Sequence, residues 1–355
     1  MAADEVRPLL RRAEQAARSG RWVAVMVAYE AAPAFEPALR VRPGDSLPLA
    51  WSGCFDAPVA ELSWTYGKYS VSGWTASVDR THFDRDIDAI RAAIARGDVY
   101  QVNHTFRLRA NFKGDPLCWF MRLRAAQPQG YCAYLDLGSY RILSASPELF
   151  FRREGDELCA RPMKGTVRRG HNSEEDEELA QWLHRSPKNR AENAMIVDVI
   201  RNDLSRVALP GTVRVPALFT IERYPTVLQM TSTVTASARP GTTLEDIFCA
   251  LFPCASISGA PKISSTGVIA SLEDTWRGIY CGTVGLIAPG GDAIFNVAIR
   301  TVLLETASGE AICGVGGGIT WDSLAAEEYE EALTKAAFLR AQETCQINGL
   351  SVYDV

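Results

Sequence analysis

The sequence predicts an α+β fold in which large antiparallel or mixed β-sheets pack together and are flanked by helices. Two observations predict it. Segments with strand-like and helix-like patterns come in blocks along the chain, not in strict alternation, which favours sheets with antiparallel pairs. The 355 residues are 47% hydrophobic and 22% charged, an ordinary globular composition, so a large core can form.

The first 75 residues are predicted to form an N-terminal lobe that packs on a core of residues 76–355, giving one composite domain overall. The lobe begins with an amphipathic helix over Glu5–Arg18 and continues with a short apolar run over Trp22–Val27. A stretch rich in proline and glycine follows, which is typical of turns.

From residue 80 onwards the local signals are stronger. Thr81 is predicted to cap a helix that Gly97 ends, Ser173 to open a helix reaching Leu183, and Ser186-Pro187 to open one reaching Ser205. A closing helix is expected over residues 324–348. Strands are predicted over these segments: Gln101–Leu108, Tyr131–Leu137, Arg141–Ser146, Leu149–Arg152, Ile279–Ile287 and Ala293–Leu304.

Charge and composition exclude several classes of protein. The net charge is −5 and no block of basic residues occurs, which argues against binding nucleic acid. No run of 18 apolar residues is present and the N-terminus lacks the pattern of a signal peptide, so no membrane association is predicted. Nine cysteines without a C-x-x-C pair indicate reduced thiols, and hence a cytoplasmic protein.

Acidic residues on two predicted helices form a candidate metal site. Glu328, Glu331 and Lys335 have the spacing of one helix face, and Glu192 lies in the helix that Ser186 opens. Carboxylates from two helices suit Mg²⁺, which prefers oxygen ligands and keeps several waters. The alternative is a solvated acidic face with an ion pair between Glu331 and Lys335, and these residues alone favour that alternative.

Two further segments suggest an anionic ligand and a nucleophile. The glycines of residues 314–318 allow close approach of a ligand to backbone N–H groups, although tight turns explain such a cluster equally well. Lys164 lies in a turn-like stretch between two strand-like runs. An ordinary surface lysine is the simple interpretation; in a dehydrated pocket the same amine would act as a nucleophile, with Glu148 as its partner or a general acid.

The order of these segments resembles the chorismate-utilising enzymes, the family of anthranilate, aminodeoxychorismate, isochorismate and salicylate synthases. The resemblance covers roughly residues 76–342, and so many separate motifs in family order are not a chance match. The motifs are Gly97–Asn103, Ser144–Glu148, Pro162–Thr166, Glu192–Asp198, Arg201–Leu204, Ser256–Lys262, Arg277–Gly282, Phe295–Thr301, Gly316–Ile319 and Glu328–Lys335.

The resemblance implies a role for each candidate residue. Glu192 and Glu331, with Glu328, resemble the family's Mg²⁺ ligands, and Glu148 resembles the acid that assists departure of the C4 hydroxyl of chorismate. Gln101 stands where water-using members carry a lysine, which argues against water as nucleophile. Gln229 replaces a frequent histidine. The residues that resemble the substrate-binding set are Gln101, Gly165, Thr166, Ser258, Tyr280, Arg300, Gly316, Gly318 and Lys335.

Lys164 separates the subfamilies that the resemblance leaves open. Aminodeoxychorismate synthases carry P-x-K-G-T at this place, whereas anthranilate synthases and water-using members carry alanine. The resemblance therefore implies Mg²⁺-dependent conversion of chorismate and ammonia to 4-amino-4-deoxychorismate through a covalent Lys164 adduct.

The implied activity requires other proteins. A separate glutamine amidotransferase would supply ammonia, and a downstream aminodeoxychorismate lyase would pass the product to para-aminobenzoate and folate synthesis. Two rival functions are component I of anthranilate synthase, which Lys164 opposes, and a chorismate-binding subunit without turnover. The presence of an acid, a nucleophile and metal ligands in one chain opposes the second rival.

Overall fold

The computed structural model describes residues 2–44, 47–59, 67–128, 130–224 and 227–340. Within those ranges no helix is long and apolar enough to cross a membrane. Short 3₁₀ helices cover Tyr29–Ala31, Ala255–Ile257 and Ala336–Arg340. The α-helices are α1 (Ala3–Arg18), α2 (Ala32–Phe35), α3 (Arg80–Ala95), α4 (Pro116–Ala125), α5 (Ser173–Arg185), α6 (Pro187–Ser205), α7 (Leu244–Leu251), α8 (Lys262–Leu272) and α9 (Ala325–Lys335).

Most of the strands are joined to the next strand by a hairpin or another short connection. They are β1 (Trp22–Val27), β2 (Ala50–Phe55), β3 (Tyr69–Val71), β4 (Thr75–Ala76), β5 (Gln101–Gly114), β6 (Tyr131–Asp136), β7 (Tyr140–Ser146), β8 (Leu149–Glu154), β9 (Glu157–Arg161), β10 (Met163–Arg168), β11 (Arg214–Arg223), β12 (Val227–Ser237), β13 (Gly259–Ala260), β14 (Thr283–Ile287), β15 (Ala293–Asn296), β16 (Thr301–Glu305) and β17 (Glu310–Ile319).

Two large sheets organise the part of the chain that the structure describes. A nine-stranded sheet has the order β10-β12-β9-β8-β15-β14-β1-β2, with β11 beside β12. An eight-stranded sheet has the order β13-β5-β17-β16-β7-β6, with β3 and β4 beside β5. The pairs between neighbouring strands are antiparallel. The α+β class predicted from the sequence is therefore confirmed.

The two sheets pack against each other and carry helices on their outer faces. Met26 and Val284 of the nine-stranded sheet share one apolar cluster with Ile142 and Leu303 of the eight-stranded sheet. Helices α1, α6 and α7 cover the first sheet in a second cluster, and α3, α8 and α9 cover the second sheet in a third. The order of layers is thus helix, sheet, sheet, helix, which buries both faces of each sheet.

The N-terminal segment joins the first sheet directly. The apolar run Trp22–Val27 forms β1, which pairs with β14 so that Val25 lies opposite Gly285. The predicted first helix is α1, which begins two residues earlier than expected, and its Arg7 and Arg11 pair with Glu245 of α7. The lobe boundary at residue 75 stays a prediction.

The helix starts test the predicted caps. Ser186 caps α6 as predicted, because its Oγ accepts a hydrogen bond from the amide of Asn189, and α6 ends at the predicted Ser205. The predicted cap of α3 was wrong by two residues, whereas α5 begins at the predicted Ser173 although the preceding residue caps it. Asp79, not Thr81, caps α3, and Asn172, not Ser173, caps α5; each side chain accepts the amide hydrogen bond three residues later.

The C-terminal half departs from three predictions. The segment Ile279–Ile287 is strand only from Thr283, and Ala293–Leu304 is two strands, β15 and β16, interrupted at residues 297–300. The closing helix α9 ends at Lys335 and continues as a 3₁₀ helix to residue 340; the predicted residues 341–348 lie outside the described residues. The eight cysteines of the described ranges are free thiols, as predicted.

A buried charged network joins the N-terminal segment to both sheets. Both oxygens of Glu273 accept hydrogen bonds from the Arg277 guanidinium, at 3.0 and 2.6 Å, and Oε2 also accepts one from Arg107 at 3.1 Å. Glu30 accepts hydrogen bonds from the backbone amides of Arg277 and Gly278. Burial alone would raise the pKa of Glu273, but the two guanidinium groups lower it to about 2.

This network predicts a large effect of one isosteric substitution. Glu273→Gln leaves two buried guanidinium groups without their carboxylate, so the free energy of unfolding should fall by about 3–5 kcal/mol in urea denaturation. Asp84→Asn, which breaks the half-exposed pair with Arg80, should cost less than about 1 kcal/mol. Equal losses in the two variants would contradict the structural role of the buried network.

Candidate active site

A cavity of about 470 Å³ lies where α6, α9, β10 and β17 meet. Lys164 and Gly165 of β10 form part of its wall, and Gly316 and Gly318 of β17 form another part. Residues far apart in the sequence therefore meet at one site. The predicted residues that line it are Glu148, Lys164, Gly165, Thr166, Glu192, Tyr280, Arg300, Gly316, Gly318, Glu328, Glu331 and Lys335.

Lys164 lies in a strand, so the predicted turn was wrong. It belongs to β10, where the pairing with β12 shifts register between Met163 and Thr166. Its amine forms no hydrogen bond or ion pair with any residue that the structure describes. Burial is the main cause that lowers the pKa of the Lys164 amine; Glu192 opposes this shift and the positive charge of Lys335 adds to it.

Glu148 follows β7 at the turn into β8 and is only 2% exposed. Burial raises the pKa of its carboxyl to about 7, against the opposing effects of a hydrogen bond from Ser256 and the charge of Lys164. Its Oε1 has no hydrogen-bond partner among the described residues. A carboxyl group that keeps its proton near neutral pH and has a free oxygen suits a general acid.

The glycine cluster is part of strand β17, so the tight turns that would explain it are not present. Residues 314–318 pair with β5, and Gly318 lies opposite Asn103. A Cβ atom at Gly318 would lie 2.0 Å from Gln101 Nε2 and 3.0 Å from Lys164 Nζ. One at Gly314 would lie 2.1 Å from the Tyr280 ring. Because these glycines have no side chains, Gln101, Lys164 and the Tyr280 ring can occupy the space beside the strand.

The other edge of the glycine run faces no strand in the part of the chain that the structure describes. Strand β16 pairs with β17 only over residues 311–313. The run beyond Cys313 can thus present backbone groups to a ligand, as the sequence predicts for an anion. Arg300 lies beside it, in the break between β15 and β16, and burial lowers the pKa of its guanidinium.

The acidic residues of α6 and α9 meet at one end of the cavity. Burial raises the pKa of both Glu192 and Glu328, and the charge of Glu331 raises them further. The pKa of Glu331 is lowered, mainly by Lys335, whose Nζ lies 2.8 Å from Glu331 Oε1. The predicted ion pair of Glu331 with Lys335 is present, and the carboxylates still share the cavity.

The carboxylates are not arranged as a closed metal site. Within the described residues, no three acidic, histidine or cysteine side chains are placed so as to hold a metal ion. Lys188 Nζ lies 3.8 Å from Glu328 Oε1, so two of the three predicted ligands have lysine neighbours. The donor chemistry fits Mg²⁺, which takes one or two carboxylates and keeps several waters. The Mg²⁺ site stays a prediction.

Two predicted substrate-binding residues do not line the cavity. Gln101 is fully buried behind Gly318, and its side-chain amide has no hydrogen-bond partner among the described residues. The Ser258 Oγ donates a hydrogen bond to the carbonyl oxygen of Cys254, 2.9 Å away. The structure thus places Gln101 next to the site and turns the Ser258 side chain away from it.

Three further residues that line the cavity were not among the predicted catalytic, substrate-binding or metal-binding residues. Ser256 lines the cavity and hydrogen-bonds Glu148; it lies in the same motif as Ser258, so only the three-dimensional structure distinguishes them. Lys188 lines the cavity one turn before Glu192 on α6, a spacing that the sequence does contain. Gln229 hydrogen-bonds the Gly165 carbonyl and the Thr166 hydroxyl, 3.0 Å from each.

Comparison with known proteins identifies the class to which this fold and site belong. A family model described as chorismate binding enzyme matches residues 65–341. The chain therefore belongs to the chorismate binding enzymes. Its fold is that of component I of anthranilate synthase from Streptococcus pneumoniae, a solved structure at TM-score 0.78 and 24% identity that covers 93% of this chain and 85% of that one.

Individual relatives include more than one kind of synthase. The chain is 38% identical over 289 residues to aminodeoxychorismate synthase component 1 of Klebsiella aerogenes, covering 79% of this chain and 64% of that protein. It is 37% identical over 274 residues to anthranilate synthase component 1 of Aquifex aeolicus, covering 77% of this chain and 55% of that protein. The chain thus spans about 60% of the length of such relatives.

The raised pKa of Glu148 predicts a pH-dependent stability. Between pH 4.5 and about 7 the unfolded chain releases this proton while the folded chain keeps it, so the stability contribution is complete below pH 4.5 and lost as pH rises through 7. The decline should total roughly 3 kcal/mol.

Glu148→Gln should remove that decline, because the amide does not titrate. Urea denaturation of both proteins between pH 4.5 and 8 measures the difference, which also cancels contributions from other groups such as Glu30. Parallel pH curves for the two proteins would contradict the raised pKa of Glu148.

Proposed function

We propose that this chain converts chorismate and ammonia to 4-amino-4-deoxychorismate, with Lys164 as a covalent nucleophile. The environment of the Lys164 amine supports this proposal most strongly. It faces the cavity without an ion pair to any described residue, and burial lowers its pKa towards the neutral, nucleophilic form. Of the family members considered, aminodeoxychorismate formation is the reaction that needs an amine from the protein.

The proposed reaction consists of two displacements with allylic shift. The neutral Lys164 amine attacks C2 of chorismate, both conjugated double bonds of the ring shift, and the C4 hydroxyl leaves as water with a proton from Glu148. Ammonia then attacks C4, both double bonds shift back, and the C2–nitrogen bond breaks to release the Lys164 amine. The new ammonium group at C4 returns a proton to the Glu148 carboxylate. The sum is replacement of one hydroxyl group by one amino group, with water as the other product.

Cationic and backbone groups would hold the two carboxylates of chorismate. Arg300 and the open edge of the glycine run at Gly316 and Gly318 line the same cavity as Tyr280, whose ring lies against Gly314. Lys335 lines the same cavity, and its Nζ donates a hydrogen bond to the Gly316 carbonyl at 3.0 Å. Charge-assisted contacts at both ends would fix the ring between Lys164 and Glu148.

Glu192, Glu328 and Glu331 would hold Mg²⁺ with several of its waters. Bound there, Mg²⁺ would neutralise a substrate carboxylate that approaches three acidic side chains. Lys188 and Lys335 would balance the remaining negative charge of these residues, as they do in the structure. The open ligand geometry suits an ion that binds together with its substrate.

Ammonia would come from a glutamine amidotransferase partner, and a lyase would consume the product for para-aminobenzoate and folate synthesis. The name of the Klebsiella relative, aminodeoxychorismate synthase component 1, implies a second component for that protein. Free ammonium at mildly alkaline pH should replace the partner in vitro. We expect the protein to act in the cytoplasm.

Anthranilate synthesis is the second candidate, because a relative with that name is 37% identical to this chain. The products distinguish the two. Mass spectrometry of a reaction with chorismate, Mg²⁺ and ammonium should detect an amino product that retains the enolpyruvyl ether. Anthranilate with pyruvate would support the second candidate, and unchanged chorismate, even with a glutaminase present, would support a non-catalytic subunit.

Replacement of the nucleophile should abolish the reaction. Lys164→Ala should lower the rate of aminodeoxychorismate formation with ammonium by at least about a thousandfold, since the other lysines that line the cavity, Lys188 and Lys335, lie beside carboxylates. Lys113→Ala, at an exposed position of β5, is the matched control and should have the rate of the wild type. Full activity of Lys164→Ala would rule out the covalent route.

Adjacent residues of α9 provide a test of the Mg²⁺ site. Glu331→Gln should raise the Mg²⁺ concentration for half-maximal rate by at least about tenfold, because one charged ligand is lost. Glu330→Gln removes the same charge from an exposed position that does not line the cavity, and should leave that concentration unchanged. An identical Mg²⁺ dependence in both variants would argue against Glu331 as a ligand.

A further inference from the structure

Arg300 has an unusual partner for a cation that lines an active-site cavity. Its Nη1 donates a hydrogen bond to the side-chain oxygen of Gln127, 2.7 Å away and 173 positions earlier in the chain. Gln127 is 1% exposed and follows α4. The backbone of Arg300 lies in the left-handed region, with φ of 48°, so the residue is held in a conformation that non-glycine residues seldom adopt.

Lys188 and Lys335, which also line the cavity, have carboxylate neighbours, and Arg300 does not. Lys335 pairs with Glu331 at 2.8 Å, and Lys188 lies 3.8 Å from Glu328. Among the residues that the structure describes, no carboxylate lies within ion-pair distance of Arg300. A half-buried guanidinium without a counter-charge is costly unless a ligand supplies one.

Gln127 is itself held firmly. The backbone N–H of Gln127 donates a hydrogen bond to the Arg124 carbonyl at 2.8 Å, and the backbone carbonyl of Gln127 accepts one from the Gly130 N–H at 3.0 Å. The side-chain oxygen extends from this anchored backbone and is a neutral acceptor. It can orient the guanidinium without cancelling its charge, whereas a carboxylate in its place would compete with an anionic ligand for the same donors.

We propose that Gln127 is a positioning residue, which aims Arg300 into the cavity and keeps its charge available for a carboxylate of the substrate. The inference rests on the proposed function, in which that substrate is the chorismate dianion. Gln127 itself need not touch the substrate. Its contribution is the neutrality and fixed position of its oxygen, and this can be changed without changing its size.

An isosteric substitution tests the neutrality. Gln127→Glu should raise the Kd and the KM for chorismate by at least about tenfold, because the new carboxylate pairs with Arg300, while kcat changes by less than about threefold. The midpoint of urea denaturation should not fall. Gln15→Glu adds the same charge at an exposed position of α1 and should leave Kd and KM unchanged.

A double-mutant cycle tests the coupling if the first variant does not fold. Gln127→Met removes the acceptor and should raise Kd severalfold in the wild type but cause no further rise in Arg300→Ala. An equal effect of Gln127→Met in both backgrounds, or wild-type affinity of Gln127→Glu, would overturn the assignment. If the wild type itself bound no chorismate, the proposed function would fail first, and this assignment with it.

Discussion

The glycines at positions 314, 316, 317 and 318 are the constraint on which the site depends. Strand β17 lies in the middle of the eight-stranded sheet and is fixed there by its pairing with β5. A Cβ atom at Gly318 would overlap Gln101 and crowd the Lys164 amine, and one at Gly314 would overlap the Tyr280 ring. The sheet can therefore serve as the floor of a cavity because Gly314 and Gly318 carry no side chains there.

The titratable residues around this floor fall into two groups, those that lie beside an opposite charge and those that do not. Lys335 and Lys188 are placed next to carboxylates of α9, whereas the Lys164 amine has no such partner among the described residues. Burial then acts in opposite directions on the two central groups: it lowers the pKa of Lys164 and raises that of Glu148 to about 7. Both shifts favour the neutral forms that a nucleophile and a general acid require.

Local patterns predicted the elements whose ends depend on local chemistry. Ser186 and Pro187 set the start of α6 through a side-chain cap and a fixed φ, so its bounds follow from the sequence. At α3 and α5 the capping hydrogen bond is instead accepted by a nearby side chain, that of Asp79 or Asn172. The α+β class also followed, because blocks of strands favour antiparallel pairing wherever the connections are short.

Elements set by distant partners were not predictable in this way. The glycine run and Lys164 both have the local character of turns, but pairing with β5 and β12 makes them strands. The hydrogen bond between Gln127 and Arg300 joins residues 173 positions apart and leaves no local signal. Most of the candidate site was nevertheless predicted, because its residues lie in motifs whose order resembles that of one family, although the resemblance did not reveal that Ser256 lines the cavity where Ser258 does not.

Intact-protein mass spectrometry tests the central claim most directly. The wild-type chain would be mixed with chorismate and Mg²⁺ without ammonia and then quenched with acid, so that the second displacement cannot occur. The account predicts a mass increase equal to chorismate less one water, located on the peptide that contains Lys164, and its absence from Lys164→Ala. Covalent catalysis by Lys164 would be contradicted if the wild-type protein converted chorismate once ammonium was added but showed no mass increase before that addition.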